Sequence, residues 1–227
     1  MKKALTLLPL MLALAGVCTV TRAQEAKGGD AGRGAQKAAM CIGCHGITGY
    51  QASFPEVYKV PKISGQGAKY LSAALDAYRK GDRKHPSMRA IAASLTDQDI
   101  ADLSAYYEQH GKTGAAELPE AKLPDALKDK LTACIACHGP TFSKPLDPTY
   151  PRLAGQHADY LYAALKGYAT DGNPHIGRAN AVMRGQLVVE ADGKKKLNFT
   201  NDELRQVSKW LASLPGELKT VEQSRLR

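Results

Sequence analysis

Cysteine is scarce in this sequence, and little of it is free for ordinary structural use. Five occur in 227 residues: Cys18 and two pairs, Cys41 with Cys44 and Cys134 with Cys137. Once a leader containing Cys18 is removed, no thiol is left over for a structural disulfide, even in an oxidising compartment. Aromatic side chains make up only 6% of the chain, with one tryptophan. Nucleic-acid binders usually set basic stripes among aromatic residues, so the formal charge of +9 does not by itself point to that class. Long apolar runs are missing as well. The single candidate, Ala4 to Val20, is short for a bilayer span and is interrupted by Pro9.

That run follows Lys2 and Lys3 and leads into Thr21-Arg22-Ala23-Gln24, the layout of a secretory signal peptide. Residues 1–23 are read as that peptide, cut after Ala23, with Ala13-Leu14-Ala15 as an earlier site. Lipoprotein processing at Cys18 is disfavoured by the bulky Val17 before it. Export would place the mature protein in the periplasm. Cleavage removes three basic residues and no acidic ones, leaving 28 against 22 and a charge of +6. Such a charge suits docking to an acidic partner at most. The length that remains fits two small domains of about 100 residues each. Domains of that size have limited cores of their own, which a buried prosthetic group would enlarge.

Both cysteine pairs sit in one pattern, Cys41-Ile42-Gly43-Cys44-His45 and Cys134-Ile135-Ala136-Cys137-His138. Two thiols one helical turn apart, with histidine directly after the second, is the attachment signature of a c-type haem. The thiols bind the vinyl groups and the imidazole takes the iron. A redox disulfide or a zinc tetrathiolate would use the cysteines. Neither needs the histidine, and here it occurs twice.

Along the chain, Asp30 is placed to cap a short helix running into Cys41. Gly34 within it would be tolerable if another helix approached closely, and the candidate is Thr96 to His110, with Ile100, Leu103, Tyr106 and Tyr107 at helical spacing. A helix is expected from Ala68 to Lys80, followed by a basic loop through Met88. The stretch from Gly111 to Pro124 reads as a linker. After it the chain repeats: Pro61 to Tyr78 aligns without gaps on Pro151 to Tyr168, ten of eighteen residues being identical, and Thr96, Asp99 and Tyr106 match Thr200, Glu203 and Trp210. The domains are therefore 24–113 and 125–227, joined by 114–124. The second half carries an extra segment, Val188 to Leu197, expected to form a surface hairpin or loop around Asp192-Gly193.

The face of each iron opposite the histidine decides between electron transfer and chemistry on a substrate. The mature chain has three methionines, and Met40 lies on the attachment turn itself. Met88 and Met183 occupy equivalent places, 43 and 45 residues after their histidines, and are the candidate distal ligands. They are read as lying in polar loops rather than on apolar helix faces. His85 and His175, in the same loops, are the rivals. His110 and His157 have no counterparts in the repeat and are read as ordinary surface or propionate-side residues. Tyr70, Tyr78, Tyr160 and Tyr168 are read mainly as helix-packing residues that could also line the haems. Gln66 and Gln156 are read as helix-start residues without a redox role.

These motifs, with the Gly-Asp-Ala-Gly start and the segment Gly155-Gln156-His157-Ala158-Asp159-Tyr160-Leu161, resemble the di-haem cytochromes c4 over essentially the whole mature chain. The resemblance implies an all-α fold made by tandem duplication of a class I cytochrome c domain, each a small helical fold around one covalent haem c. It implies Cys41, Cys44, Cys134 and Cys137 as anchors, His45 and His138 as proximal ligands, and Met88 and Met183 as distal ones. It further implies a monomeric periplasmic electron carrier, without catalytic residues, between a quinol-linked donor such as the cytochrome bc complex and a haem-copper terminal oxidase. Peripheral membrane association stays open. The rival readings are a di-haem peroxidase, a thiosulfate-oxidising enzyme, or the cytochrome subunit of a dehydrogenase complex. The thiosulfate enzymes typically use a cysteine as distal ligand, and no mature cysteine is free here.

Overall fold

The computed structural model describes residues 28–112 and 117–222. The signal-peptide reading, its cleavage site and Cys18 lie outside those residues, as do 113–116 of the expected linker. The first half contains helices α1 (Ala31–Lys37), α2 (Ala39–His45), α3 (Ala68–Lys80), α4 (Pro86–Ala93) and α5 (Asp97–Gln109). The second contains α6 (Lys128–His138), α7 (Ala158–Ala169), α8 (Ala181–Leu187) and α9 (Asn201–Ser213). Six short strands, β1 to β6, pair two by two: Gln51–Ala52 with Tyr58–Lys59, Arg83–Lys84 with Gly177–Arg178, and Val188–Ala191 with Lys194–Leu197. Among the described residues no helix is long and apolar enough to cross a membrane.

Local chemistry sets the helix starts. The Asp30 carboxylate accepts from the Arg33 amide at 2.7 Å and caps α1. Thr96 with Asp99, and Thr200 with Glu203, form equivalent capping boxes at the starts of α5 and α9. The expected helix into Cys41 is broken at Ala38 into α1 and α2.

Gly34 answers the expectation of close approach: a Cβ there would overlap the Asp102 carbonyl and crowd the Tyr106 side chain. The α1 backbone therefore lies directly on α5, and buried Asp102 ties the two together through Asp30 and Arg33. Leu127 stands at the corresponding place in the second half. There the contact between the attachment segment and α9 is made by side chains, Leu127 and Leu131 sharing a core with Leu204, Val207 and Leu211. The first half has a separate core of Leu71, Leu95, Ile100, Leu103 and Tyr107. The 188–197 segment is a hairpin, β5 and β6, turning at Asp192 and Gly193, both at positive φ.

The halves meet through the repeated segment itself. Gln66 accepts from the Arg152 amide at 2.9 Å and donates to the Arg152 carbonyl at 3.0 Å. In mirror fashion Gln156 accepts from the Lys62 amide and donates to the Lys62 carbonyl, both at 2.9 Å. Each glutamine is buried, and each oxygen also takes the amide of the next residue. Reading them as helix-start residues thus captures only part of their role. They interlock the two halves about a local two-fold axis.

Candidate haem sites

Cys41, Cys44 and His45 lie on α2, and Cys134, Cys137 and His138 on α6, in each case within one helical turn and a half. Cys41 packs against the first core and Cys134 against the second. Burial raises the Cys41 thiol above its ordinary range and pushes Cys134 up to about 11. A dithiol redox centre needs the opposite, a first cysteine with a lowered pKa. Among the described residues no group of three or more His, Cys, Asp or Glu side chains is arranged to hold a bare metal ion, so the tetrathiolate reading has no site.

The two histidines are held alike. His45 Nδ1 lies 2.8 Å from the Pro61 carbonyl, and His138 Nδ1 lies 3.0 Å from the Pro151 carbonyl. A carbonyl can only accept, so Nδ1 carries the proton and Nε2 keeps its lone pair. An imidazole oriented in this way through its far nitrogen is the usual arrangement of a metal-ligating histidine. Burial lowers the pKa of both rings, and for His45 the charges of His85 and Arg83 add to that. Both shifts favour the neutral ring.

Both histidines border one continuous cavity of about 640 Å³ that runs between the halves. Met88 and Met183 border it too, as do Leu71, Leu75, Leu161 and Leu165. Cys41 and Cys44 reach it; Cys134 and Cys137 are not among the residues bordering it. The methionines are not in loops. Met88 is on α4 and Met183 on α8, each at the third residue of its helix. His85 and Asn180 are the caps, accepting the Met88 amide at 3.3 Å and the Met183 amide at 2.9 Å. Pro86 at the first position of α4 was the local signal for this start.

His85 borders the cavity; its place in the repeat is held by Asn180, and both residues cap the helix that carries the methionine. His175 is exposed, packs edge-on against Phe54 with centroids 5.4 Å apart, and does not border the cavity. His110 is half-buried rather than superficial: its Nδ1 meets the Ser64 hydroxyl at 2.9 Å and its ring stacks on Tyr106. Tyr70, Tyr78, Tyr160 and Tyr168 all line the cavity, the second of the two uses expected of them. Packing remains part of their use, since Tyr160 is buried and Tyr168 packs against the second core.

The cytochrome c family model matches residues 30–110 and again 128–215. The cytochrome c4 of Azotobacter vinelandii is 32% identical over 81% of this chain and 90% of its own.

The chain belongs to the cytochrome c4 family.

A protein of Stutzerimonas stutzeri described as a thiosulfate dehydrogenase electron acceptor is 33% identical over 78% of this chain and 91% of its own. The crystal structure of reduced recombinant cytochrome c4 from Pseudomonas stutzeri superposes with a TM-score of 0.56 at 26% identity, covering 82% of this chain and all of that one. The protein is therefore a di-haem c-type cytochrome with two covalently bound haem c groups, an electron carrier rather than an enzyme. Each haem supplies a one-electron iron couple. The chain's residues fit that cofactor: the cavity is largely apolar, two oriented imidazoles border it, and Arg83, which also borders it, has a buried Nε without a hydrogen-bond partner.

Proposed function

We propose that residues 24–113 and 125–227, joined by 114–124, each hold one haem, and that residues 1–23 export the chain to the periplasm. Cys41 with Cys44 and Cys134 with Cys137 are the covalent anchors, His45 and His138 the proximal ligands, and Met88 and Met183 the distal ones. The observation that carries this reading is that each Nε2-facing histidine and its repeat-equivalent methionine border the same cavity. Histidine and methionine together would leave a bound haem iron no position for a substrate, which suits electron transfer.

In this reading the protein moves electrons from a quinol-linked donor, such as a cytochrome bc complex, to a haem-copper terminal oxidase. A second donor has support of its own, because a relative of almost equal span carries the name of an electron acceptor for thiosulfate dehydrogenase. Stopped-flow reduction of the oxidised cytochrome by each donor separates the two. Reduction within milliseconds by the bc complex and only slow reduction by thiosulfate dehydrogenase supports the first route. The reverse supports the second.

A further inference from the structure

Arg83 and Arg178 each lie five residues before their methionine, so they are equivalents in the repeat. They also face each other. Strands β3 and β4 pair antiparallel with Arg83 opposite Arg178, and the Ala179 amide closes the link by donating to the Asp82 carbonyl at 2.7 Å. Like charges directly opposite on a two-stranded ladder are destabilising. Arg83 is moreover buried, with 8% of its surface exposed, and both side chains border the cavity.

Among the described residues, neither arginine forms an ion pair with a carboxylate. Their polar neighbours are phenols. Arg83 donates to Tyr160 at 2.6 Å and to Tyr70 at 3.2 Å; Arg178 donates to Tyr160 at 3.3 Å. The guanidinium groups also lie over the rings of Tyr78 and Tyr168, at 4.6 and 5.2 Å. Arg83 Nε is buried with no partner at all. Taking two cations out of water without an anion is expensive, and neutral hydroxyls return only part of that cost. The strain appears on Tyr160: burial works against its ionisation, yet the two arginines draw its pKa down to about 7. The site is built to receive negative charge from the cavity side. Haem c carries two carboxylates, its propionates, and guanidinium is well suited to bind them.

We propose that Arg83 and Arg178 form one cationic clamp shared by the propionates of both haems, so that the two redox centres lean on a common counter-charge. A private arrangement, one arginine for each haem, would need neither the cross-half ladder nor the shared Tyr160. The clamp rests on two haems occupying this cavity, and it is independent of the distal ligands and of the redox partners.

The test is a spectroelectrochemical titration of the intact holoprotein, resolving both midpoint potentials, for wild type, Arg83→Gln and Arg83→Lys. A nearby cation favours the reduced iron, so losing it lowers the potential. Arg83→Gln is expected to lower both potentials together, each by about a tenfold change in the reduction equilibrium, or about 59 mV for a one-electron couple. The shift should persist at high salt, because buried charges are poorly screened. Arg83→Lys keeps the charge and should leave both potentials near those of wild type. If only the first-half haem moves in Arg83→Gln, the clamp is not shared and the proposal fails. It fails equally if neither potential moves. Should Arg83→Gln not mature, Arg178→Gln supplies the same readout from the other strand. Carbon monoxide binding, which would report a lost distal methionine, separates failure of the clamp from failure of the ligand assignment.

Discussion

Replacing Asp102 by alanine should loosen the helix pair that frames the first haem segment. The carboxylate is fully buried and accepts four hydrogen bonds: from the Asp30 amide at 2.9 Å, from Arg33 Nε and Nη2 at 2.8 Å each, and from Gln98 at 2.9 Å. Hydrogen bonds to a charged group contribute about 1.5–3 kcal/mol each. The Arg33 side chain is 49% exposed, so water re-solvates it and its share falls toward the surface value of about 0–1 kcal/mol. The two amide donors dominate, and at about 1.5–3 kcal/mol each the total loss should be about 3–6 kcal/mol. Guanidinium unfolding of the holoprotein, followed by the haem absorption of each half, measures it. A loss under about 0.5 kcal/mol would refute the reasoning. The pH dependence provides a second check. Arg33, first of all, holds Asp102 well below the usual carboxylate range, against the effect of burial. The unfolded chain therefore binds the proton more readily. The stabilisation is complete above about pH 4, the ordinary aspartate pKa, and is lost as the pH falls toward the folded value. Asp102→Asn should flatten that acid limb.

Met88→Ala and Met183→Ala should each open one iron to carbon monoxide and lower that haem's potential while sparing the other, as redox titration of the single variants will report. The pair Gln66→Ala with Gln156→Ala removes four cross-half hydrogen bonds, about 1 kcal/mol each, and calorimetry should then resolve two unfolding transitions further apart than in wild type. Gly34→Ala should destabilise by about 1–3 kcal/mol, because overlap with the Asp102 carbonyl outweighs the better helix propensity of alanine; thermal unfolding gives the sign.

How far the sequence carried depended on the distance over which each feature is determined. The bounds of α3 and the 188–197 hairpin follow from neighbours within a turn or two, and they stand where expected; the helix into Cys41 is there too, broken at Ala38. Gly34 could be read because a glycine in a helix needs a reason, and a second amphipathic segment supplied one. The methionine helices were missed for a local cause: seven or eight residues are too few to show periodicity, and a histidine cap at His85 is less familiar than the asparagine at Asn180. The roles of Gln66, Gln156, Arg83 and Arg178 were hidden for a different reason. The cross-half partners of Gln66, Gln156 and Arg83 lie 77 to 94 residues away in sequence, and Arg178 stands opposite Arg83 from the other half. Only the repeat, which puts each pair at equivalent positions, hinted that they act across the two halves.

The central claim is that both irons are closed, one by Met88 and one by Met183. The measurement that tests it most directly is the optical spectrum of the purified oxidised protein, followed by carbon monoxide titration after reduction. A near-red methionine-to-iron band of two-haem intensity, with no carbon monoxide bound, is the predicted result. A band of half that intensity or none, with carbon monoxide binding to the reduced protein, would contradict it.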